Sequence, residues 1–167
     1  MDEGLYKILF ICTGNSARSI MAEVIMNHLG GAQFKAYSAG SQPRGEIHPM
    51  TLNVLAAKQY DLSGLRSKSW TEFAEANAPR MDFIITVCDQ AAGEACPAWP
   101  GQPITAHWGF ADPSKLEGDR AQQLKAFAHA ELEIASRIRL FMSLPIEKLD
   151  RMSLQTRLRE LGQQRDA

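Results

Sequence analysis

The sequence predicts an α/β fold, a three-layer sandwich built around a four-stranded parallel sheet. Strand-like and helix-like patterns alternate along the chain, which is the order typical of parallel sheets. Two of the strand patterns, Leu5–Cys12 and Met81–Cys88, are apolar almost throughout, as expected of strands buried on both faces. The length of 167 residues suits one domain with a single core.

The elements can be assigned in order from local patterns. The first strand ends at a turn-forming TGNS segment, and apolar residues then recur at helical spacing until Gly30 and Gly31 end the helix. Pro49 stands where a second helix would begin. Residues 1–145 are predicted to form the domain, and the polar residues 146–167 a C-terminal helical extension. The predicted strands are Leu5–Cys12, Gln33–Ser41, Met81–Cys88 and Gln102–Trp108, and the predicted helices of the domain are Arg18–Leu29, Pro49–Tyr60, Trp70–Asn77 and residues 117–143.

The charge balance excludes several classes of function. With 18 Lys and Arg against 19 Asp and Glu, the net charge of -1 gives no general field for nucleic acid or an anionic membrane. No stretch reaches the roughly 18 apolar residues that a membrane helix requires, and the acidic N-terminus does not resemble a signal peptide. We therefore expect a cytoplasmic protein. Its three cysteines, an odd number, favour reduced and reactive thiols over a disulfide framework.

The segment CTGNSARS places Cys12 between the first strand and the first helix. Backbone N–H groups at this corner can surround one tetrahedral oxyanion at the positive end of the helix dipole, and Arg18 can add bidentate hydrogen bonds. The same groups favour a thiolate, so we expect a lowered pKa and a nucleophilic sulfur for Cys12. The competing interpretation is a buried structural cysteine before an ordinary helix start. The predicted substrate-binding residues are Thr13, Gly14, Asn15, Ser16, Ala17, Arg18 and Ser19.

This segment closely resembles the phosphate-binding loop of the low-molecular-weight protein tyrosine phosphatase superfamily. The Asp112-Pro113 pair fits the general acid of that family, which is an aspartate followed by proline. Three further segments are similar to the arsenate reductases built on the same fold. They are YSAG (Tyr37–Gly40), VCDQAAGEACPAWPG (Val87–Gly101) and HWGFADPS (His107–Ser114), and the resemblance covers roughly residues 5–143.

Two more cysteines bear on the choice of reaction. A phosphatase needs Cys12, Arg18 and Asp112 but has no use for Cys88 and Cys96. The resemblance to arsenate reductases implies that Cys12 attacks arsenic, that Cys88 then attacks Cys12 and releases arsenite, and that Cys96 takes over the disulfide. An external thiol system, thioredoxin or glutathione with glutaredoxin, would restore the thiols. No bound cofactor is expected.

Arsenate reduction is therefore the leading hypothesis, and two alternatives stay open. One is a phosphatase acting on phosphotyrosine or small phosphoesters, and the other is a non-catalytic module that binds oxyanions or senses redox state. Ser114 follows the Asp-Pro pair where tyrosine phosphatases usually place an aromatic residue, which favours a small inorganic substrate. Cys88 and Cys96 could also be small buried hydrophobes. A zinc site made by them with His107 is disfavoured, because the spacing matches no common zinc pattern.

No metal ion is predicted. Some relatives hold a potassium ion behind the loop, with an asparagine and a serine that would correspond to Asn15 and Ser38, but the remaining ligands cannot be matched. The basic run Arg66–Ser69 is interpreted as a solvated loop near the mouth of the site.

Overall fold

A computed structural model describes residues 5–88 and 99–163. Four parallel strands form one sheet in the order β2-β1-β3-β4, which confirms the predicted α/β fold with its four-stranded parallel sheet. The central strand β1 is fully buried from Ile8 to Ile11. The strands are β1 (Tyr6–Cys12), β2 (Phe34–Gly40), β3 (Phe83–Thr86) and β4 (Ile104–His107), and the helices are α1 (Arg18–Gly30), α2 (Pro49–Ala57), α3 (Arg120–Met142) and α4 (Arg151–Gln163).

Two helices cover one face of the sheet. Helix α1 packs on β1 and β2 and also against α3, and the ring of Phe141 at the end of α3 contacts Phe34, Phe83 and Trp108. On the opposite face, the ring of Phe73 packs against Tyr37 of β2. None of the helices within the described residues is both long and apolar enough to cross a membrane.

Several elements are shorter than their patterns predict. Strand β3 covers only Phe83–Thr86 of the predicted Met81–Cys88, and α2 ends at Ala57, where Gln59 adopts a positive φ of 62° that closes the helix end. The predicted helix Trp70–Asn77 is a 3-10 turn at Trp70–Phe73. Trp70 and Phe73 are buried there, and their spacing of three residues suits the 3-10 period.

The C-terminal helix α4 lies along β4 at the edge of the sheet. The indole Nε1 of Trp108 donates to the carbonyl of Leu158 at 3.0 Å. Gly162 lies so close to the strand end that a Cβ atom there would be 2.0 Å from the carbonyl oxygen of His107. This helix therefore covers the edge strand that leads toward Asp112.

Candidate active site

The Cys12–Ser19 loop connects the end of β1 to the start of α1. Cys12 is the last residue of β1 and pairs in register with Gly40 of β2, and Arg18 is the first residue of α1. A Cβ atom on Gly40 would be 2.5 Å from the carbonyl oxygen of Thr13. Glycine at position 40 therefore allows the loop to pass close to the neighbouring strand.

The carbonyl groups of the loop are held from outside. Backbone N–H groups in residues 41–48, the loop between β2 and α2, donate to the carbonyls of Cys12, Thr13, Gly14 and Ser16. The hydroxyl of Thr51 also donates to Ser16, at 3.0 Å. In a trans peptide the C=O and the next N–H point in opposite directions. The N–H groups that follow these outward carbonyls therefore face the interior of the loop, where they can bind an oxyanion.

Asn15 braces the loop from behind. Its backbone has a positive φ of 46°, and its side chain is fully buried. The amide Nδ2 donates to the hydroxyls of Ser19 at 2.8 Å and Ser38 at 3.0 Å, and Oδ1 accepts from the backbone N–H of Lys68 at 2.9 Å. Because the Ser19 hydroxyl oxygen accepts a hydrogen bond from Asn15, the Ser19 hydroxyl proton is directed to another acceptor.

A buried ion pair continues this network. The hydroxyl of Ser38 donates to Glu23 Oε1 at 2.5 Å, and Lys68 Nζ lies 3.8 Å from the same oxygen. Burial raises the pKa of Glu23 and lowers that of Lys68, and in each case the partner charge opposes the shift. The interpretation of Arg66–Ser69 as a solvated loop is therefore wrong for Lys68, whose side chain is 9% exposed. It fits the side chain of Arg66, which forms an exposed ion pair with Glu72.

Cys88 lies beside Cys12, as the resemblance to arsenate reductases implies. Ile11 pairs in register with Thr86 of β3, so the chain reaches the same end of the sheet two residues later. The thiols of Cys12 and Cys88 are both reduced and buried and are in hydrogen-bonding contact. The hydroxyl of Thr13 is 3.5 Å from the sulfur of Cys88. This arrangement places the two sulfurs where they could form a disulfide.

The expected lowering of the Cys12 pKa is not observed. Contact with the Cys88 thiol and burial raise the pKa of Cys12, and they outweigh Arg18 and the N–H of Thr13, which lower it. The sequence identified the groups that lower the pKa of Cys12, but it did not predict that contact with the Cys88 thiol raises this pKa by more. The second thiol and burial thus work against the thiolate form of Cys12, and attack on a substrate requires that the thiol proton leave.

Asp112 lies across the loop from Cys12, at the wall of the same cavity. Its Oδ2 is 3.4 Å from the guanidinium of Arg18, and its Oδ1 accepts from the N–H and hydroxyl of Ser114. Burial raises the pKa of Asp112. The hydrogen bonds from Ser114 and the charge of Arg18 lower it by more than burial raises it, so the pKa of Asp112 lies below its usual value. A second nitrogen of Arg18 donates to the carbonyl of Phe110 at 2.9 Å, which fixes the guanidinium over the loop.

These groups surround one cavity of about 470 Å³. The loop forms its floor, and Cys88 and Asp112 lie in its walls. The structure thus brings together Cys12, Arg18, Cys88, Asp112 and the predicted binding residues 13–17, while Ser19 lies fully buried beneath the loop. Cys96 lies outside the described residues.

The residues behind the loop do not suit a bound potassium ion. Asn15 and Ser38 are in place, but the ammonium of Lys68 already faces the carboxylate of Glu23. A second cation at this point would be repelled by Lys68. His107, a candidate only for the disfavoured zinc site, contacts the hydroxyl of Thr86 at 2.8 Å. Within residues 5–88 and 99–163 there is no group of three or more His, Cys, Asp or Glu side chains that could hold a metal.

Sequence reasoning missed Glu23 and Lys68. One signal for Glu23 was available, because it is the single charged residue in the strongly apolar run from Ile20 to Met26. A carboxylate within such a run is buried and requires a partner. Lys68 carried no comparable signal, since it stands in a polar segment.

Comparison with known proteins agrees with this geometry. Arsenate reductase from Shouchella clausii (strain KSM-K16) is 36% identical over 134 residues, which cover 80% of this chain and 93% of the relative. A solved arsenate reductase in the phosphate-binding state has a TM-score of 0.61 at 27% identity, covering 81% of this chain and 95% of the other. A thioredoxin-dependent arsenate reductase from Corynebacterium glutamicum has a TM-score of 0.57 at 26% identity, covering 84% of this chain and 65% of the other. The model of the low molecular weight phosphotyrosine protein phosphatase family matches residues 7–153, a range that contains the whole loop, Cys88 and Asp112, and the chain therefore belongs to this family.

Proposed function

We propose that this protein reduces arsenate to arsenite through its cysteines. The observation that carries the proposal is the contact between the thiols of Cys12, in the loop, and Cys88, in the wall of the same cavity. A phosphatase requires one thiol at this place, whereas a two-electron reduction requires a second thiol within reach of the first. The similarity to arsenate reductases over most of the chain supports the same reaction.

The first step is binding of arsenate by the loop. The inward N–H groups and Arg18 hold its oxygens, as they would hold those of phosphate. Cys12 then attacks arsenic, a sulfur–arsenic bond forms, and one arsenic–oxygen bond breaks. The thiol proton of Cys12 can pass to the bound anion, so that the departing oxygen leaves as water once a second proton is supplied.

Asp112 is proposed to supply that second proton as the general acid. Ser114 and Arg18 stabilise the charged form of Asp112 and hold its pKa below the usual value. A bound arsenate brings further negative charge and engages Arg18. Both effects raise the pKa of Asp112, so that the carboxyl takes up a proton when the substrate binds.

The second step is the reduction itself. The Cys88 sulfur attacks the Cys12 sulfur, the Cys88 thiol proton passes to an oxygen on arsenic, and the sulfur–arsenic bond breaks with its electron pair remaining on arsenic. Arsenic is thereby reduced from the +5 to the +3 state and leaves as arsenite, and the two thiols are oxidised to one disulfide. Atoms and electrons balance as two thiols and one arsenate giving one disulfide, one arsenite and one water.

Regeneration is proposed to pass through Cys96. Its thiolate attacks Cys88, so that a Cys88–Cys96 disulfide replaces the Cys12–Cys88 disulfide and Cys12 is freed. An external thiol system then reduces this disulfide. Thioredoxin is the first candidate, because a similar chain from Corynebacterium glutamicum is described as thioredoxin-dependent, and glutathione with glutaredoxin is the alternative.

The test is arsenite release by the wild type and by Cys88→Ser and Cys96→Ser, with thioredoxin or glutathione plus glutaredoxin as the reductant. Cys88→Ser should stop turnover while Cys12 still binds arsenate, and Cys96→Ser should form a Cys12–Cys88 disulfide once and then stall. Intact-protein mass spectrometry identifies each trapped form. If both variants turn over as fast as the wild type, the relay is wrong. If the wild type hydrolyses an aryl phosphate and releases no arsenite, the phosphatase hypothesis replaces the proposal.

A further inference from the structure

The geometry points to a built-in cation behind the active site. We propose that the ammonium of Lys68, paired with Glu23, takes the place of a bound monovalent cation and is a positioning group for the oxyanion loop. The inference rests on the oxyanion-binding part of the proposed function and does not depend on whether arsenate is reduced.

Lys68 closes a ring of contacts on Asn15. Its backbone N–H donates to Asn15 Oδ1 at 2.9 Å, and its ammonium lies 3.8 Å from Glu23 Oε1. That oxygen accepts from Ser38, whose hydroxyl in turn accepts from Asn15 Nδ2 at 3.0 Å. Lys68 thus acts on both ends of the same amide, once through its backbone and once through its charge.

The charge of Lys68 compensates the buried carboxylate of Glu23. Glu23 and Ser38 lie on α1 and β2, the two elements beside the loop, and both side chains are largely buried. A carboxylate alone at this depth would be costly, and it would repel an anion bound in front of the loop. The ammonium removes both effects, and its donation to the carbonyl of Arg66 at 2.8 Å holds it in place.

The effect on the loop runs through Asn15. This residue adopts a left-handed backbone conformation that is strained for most side chains, and its three hydrogen bonds hold it there. If the Glu23 carboxylate lost its cation, the Ser38 hydroxyl would still be drawn to it, but the carboxylate would attract water or another cation. The inward direction of the neighbouring N–H groups would then be less well fixed.

The experiment measures phosphate binding by calorimetry in buffers whose only salt is choline chloride or potassium chloride. The wild type should bind phosphate equally in both salts. Lys68→Ala leaves space, so its phosphate affinity should fall about tenfold in choline and recover in potassium. Lys68→Met fills the space without charge and should stay weak in both salts. Lys68→Arg, which keeps the charge, should remain close to the wild type.

A matched control is available on the same segment. Glu72→Gln breaks the exposed ion pair with Arg66 but makes no contact with Asn15, and it should leave phosphate binding unchanged. Potassium-dependent binding by the wild type, or wild-type affinity of Lys68→Ala and Lys68→Met in choline, would overturn the inference. So would a Lys68→Ala defect that potassium does not reverse. If Lys68→Ala does not fold, the comparison of Lys68→Met with Lys68→Arg decides whether the charge matters.

A loss of phosphate affinity in the variants, together with no arsenite release by the wild type, would support this inference and reject the reductase. Normal arsenite release by the wild type, with no effect of the Lys68 variants on phosphate binding, would support the reductase and reject this inference. In the reductase assay, Lys68→Ala should raise KM more than it lowers kcat, because the chemical groups at Cys12 and Cys88 are unchanged.

Discussion

The front and the back of the oxyanion loop are built on different physical principles. At the front, Cys12, Cys88 and Asp112 face a cavity, and each of them must change its protonation or bonding state during the proposed reaction. At the back, Asn15, Ser38 and Ser19 are fully buried, and Asn15 uses each of its polar atoms in a hydrogen bond. The comparison separates groups that perform chemistry from groups that hold the backbone for it.

The difference explains how the loop keeps its N–H groups turned inward. A ring of N–H groups would be unstable if nothing fixed it, because the groups repel one another. The outward carbonyls and the buried Asn15 supply the fixing contacts. The loop backbone is therefore held by contacts made outside the cavity, and a fixed array of N–H donors is the condition for electrostatic stabilisation.

Arg18→Lys should produce the largest effect, because it removes the planar fork at the front while keeping its charge. Arg18 now binds the carbonyl of Phe110 and pairs with Asp112, and lysine cannot reproduce this geometry. We expect the arsenite-release kcat/KM to fall about 10²–10³-fold. Arg66→Lys is the matched control, since that arginine forms an exposed pair with Glu72. An equal loss in both variants would contradict a special role for the Arg18 fork.

Asp112→Asn should cost about 10²-fold in kcat, the usual contribution of a general acid. The wild-type rate should decline as the pH rises and Asp112 in the substrate complex loses its proton, and this decline should be absent in the variant. Steady-state rates across pH measure both effects. Asp119→Asn changes a nearby helix cap to another good cap and should retain activity. A wild-type pH profile in Asp112→Asn would assign the proton to another group.

The front of the site could be predicted largely from the sequence. Parallel strands end at one edge of a sheet, which puts Cys12 and Cys88 at the same edge, and the resemblance to arsenate reductases implied that their two strands are neighbours, as they are. The Cys-to-Arg spacing placed the arginine at the start of α1. The protonation of Cys12 could not be predicted, because it depends on how closely the two sulfurs approach.

The pairing of Lys68 with Glu23 at the back of the site could not be predicted from the sequence. The contacts around Asn15 join the loop, α1, β2 and the segment that contains Lys68. Only the folded chain brings Glu23 and Lys68 together. Composition around Lys68 indicates a solvated loop, and nothing local distinguishes it from Arg66, two residues earlier. Long-range partners of buried charges are set by packing, which has no short-range sequence pattern.

Asn15→Gly tests the back of the loop with a smaller effect on catalysis. Glycine keeps the positive φ without strain but removes three hydrogen bonds, so the free energy of unfolding should fall by about 3 kcal/mol and kcat/KM by about tenfold. Gln59→Gly is a matched control. Gln59 also has a positive φ but is exposed, and this change should leave stability unchanged or raise it by up to about 1 kcal/mol. Urea unfolding distinguishes a side-chain effect from a backbone effect.

His48 is a titratable residue that supports the loop from outside the cavity. Its N–H donates to the carbonyl of Ser16, and its Nδ1 accepts from the N–H of Met50 at the start of α2. Burial and the charge of Arg44 lower the pKa of His48, and Asp112 opposes them only in part. The unfolded chain therefore takes up the proton at a higher pH than the folded chain. This difference leaves stability at its full value above the ordinary histidine pKa of 6.5 and reduces it as the pH falls below that value.

His48→Asn should have the smallest effect of the four changes. Asparagine can still cap α2, so arsenite release at neutral pH should stay within about twofold of the wild type. The free energy of unfolding should fall less steeply for the variant than for the wild type between about pH 7.5 and about pH 5.5, because the titrating group is gone. The loss of the ring contact with Phe127 lowers stability equally at every pH and does not change this slope. If the slopes are equal, a group other than His48 titrates in this pH range.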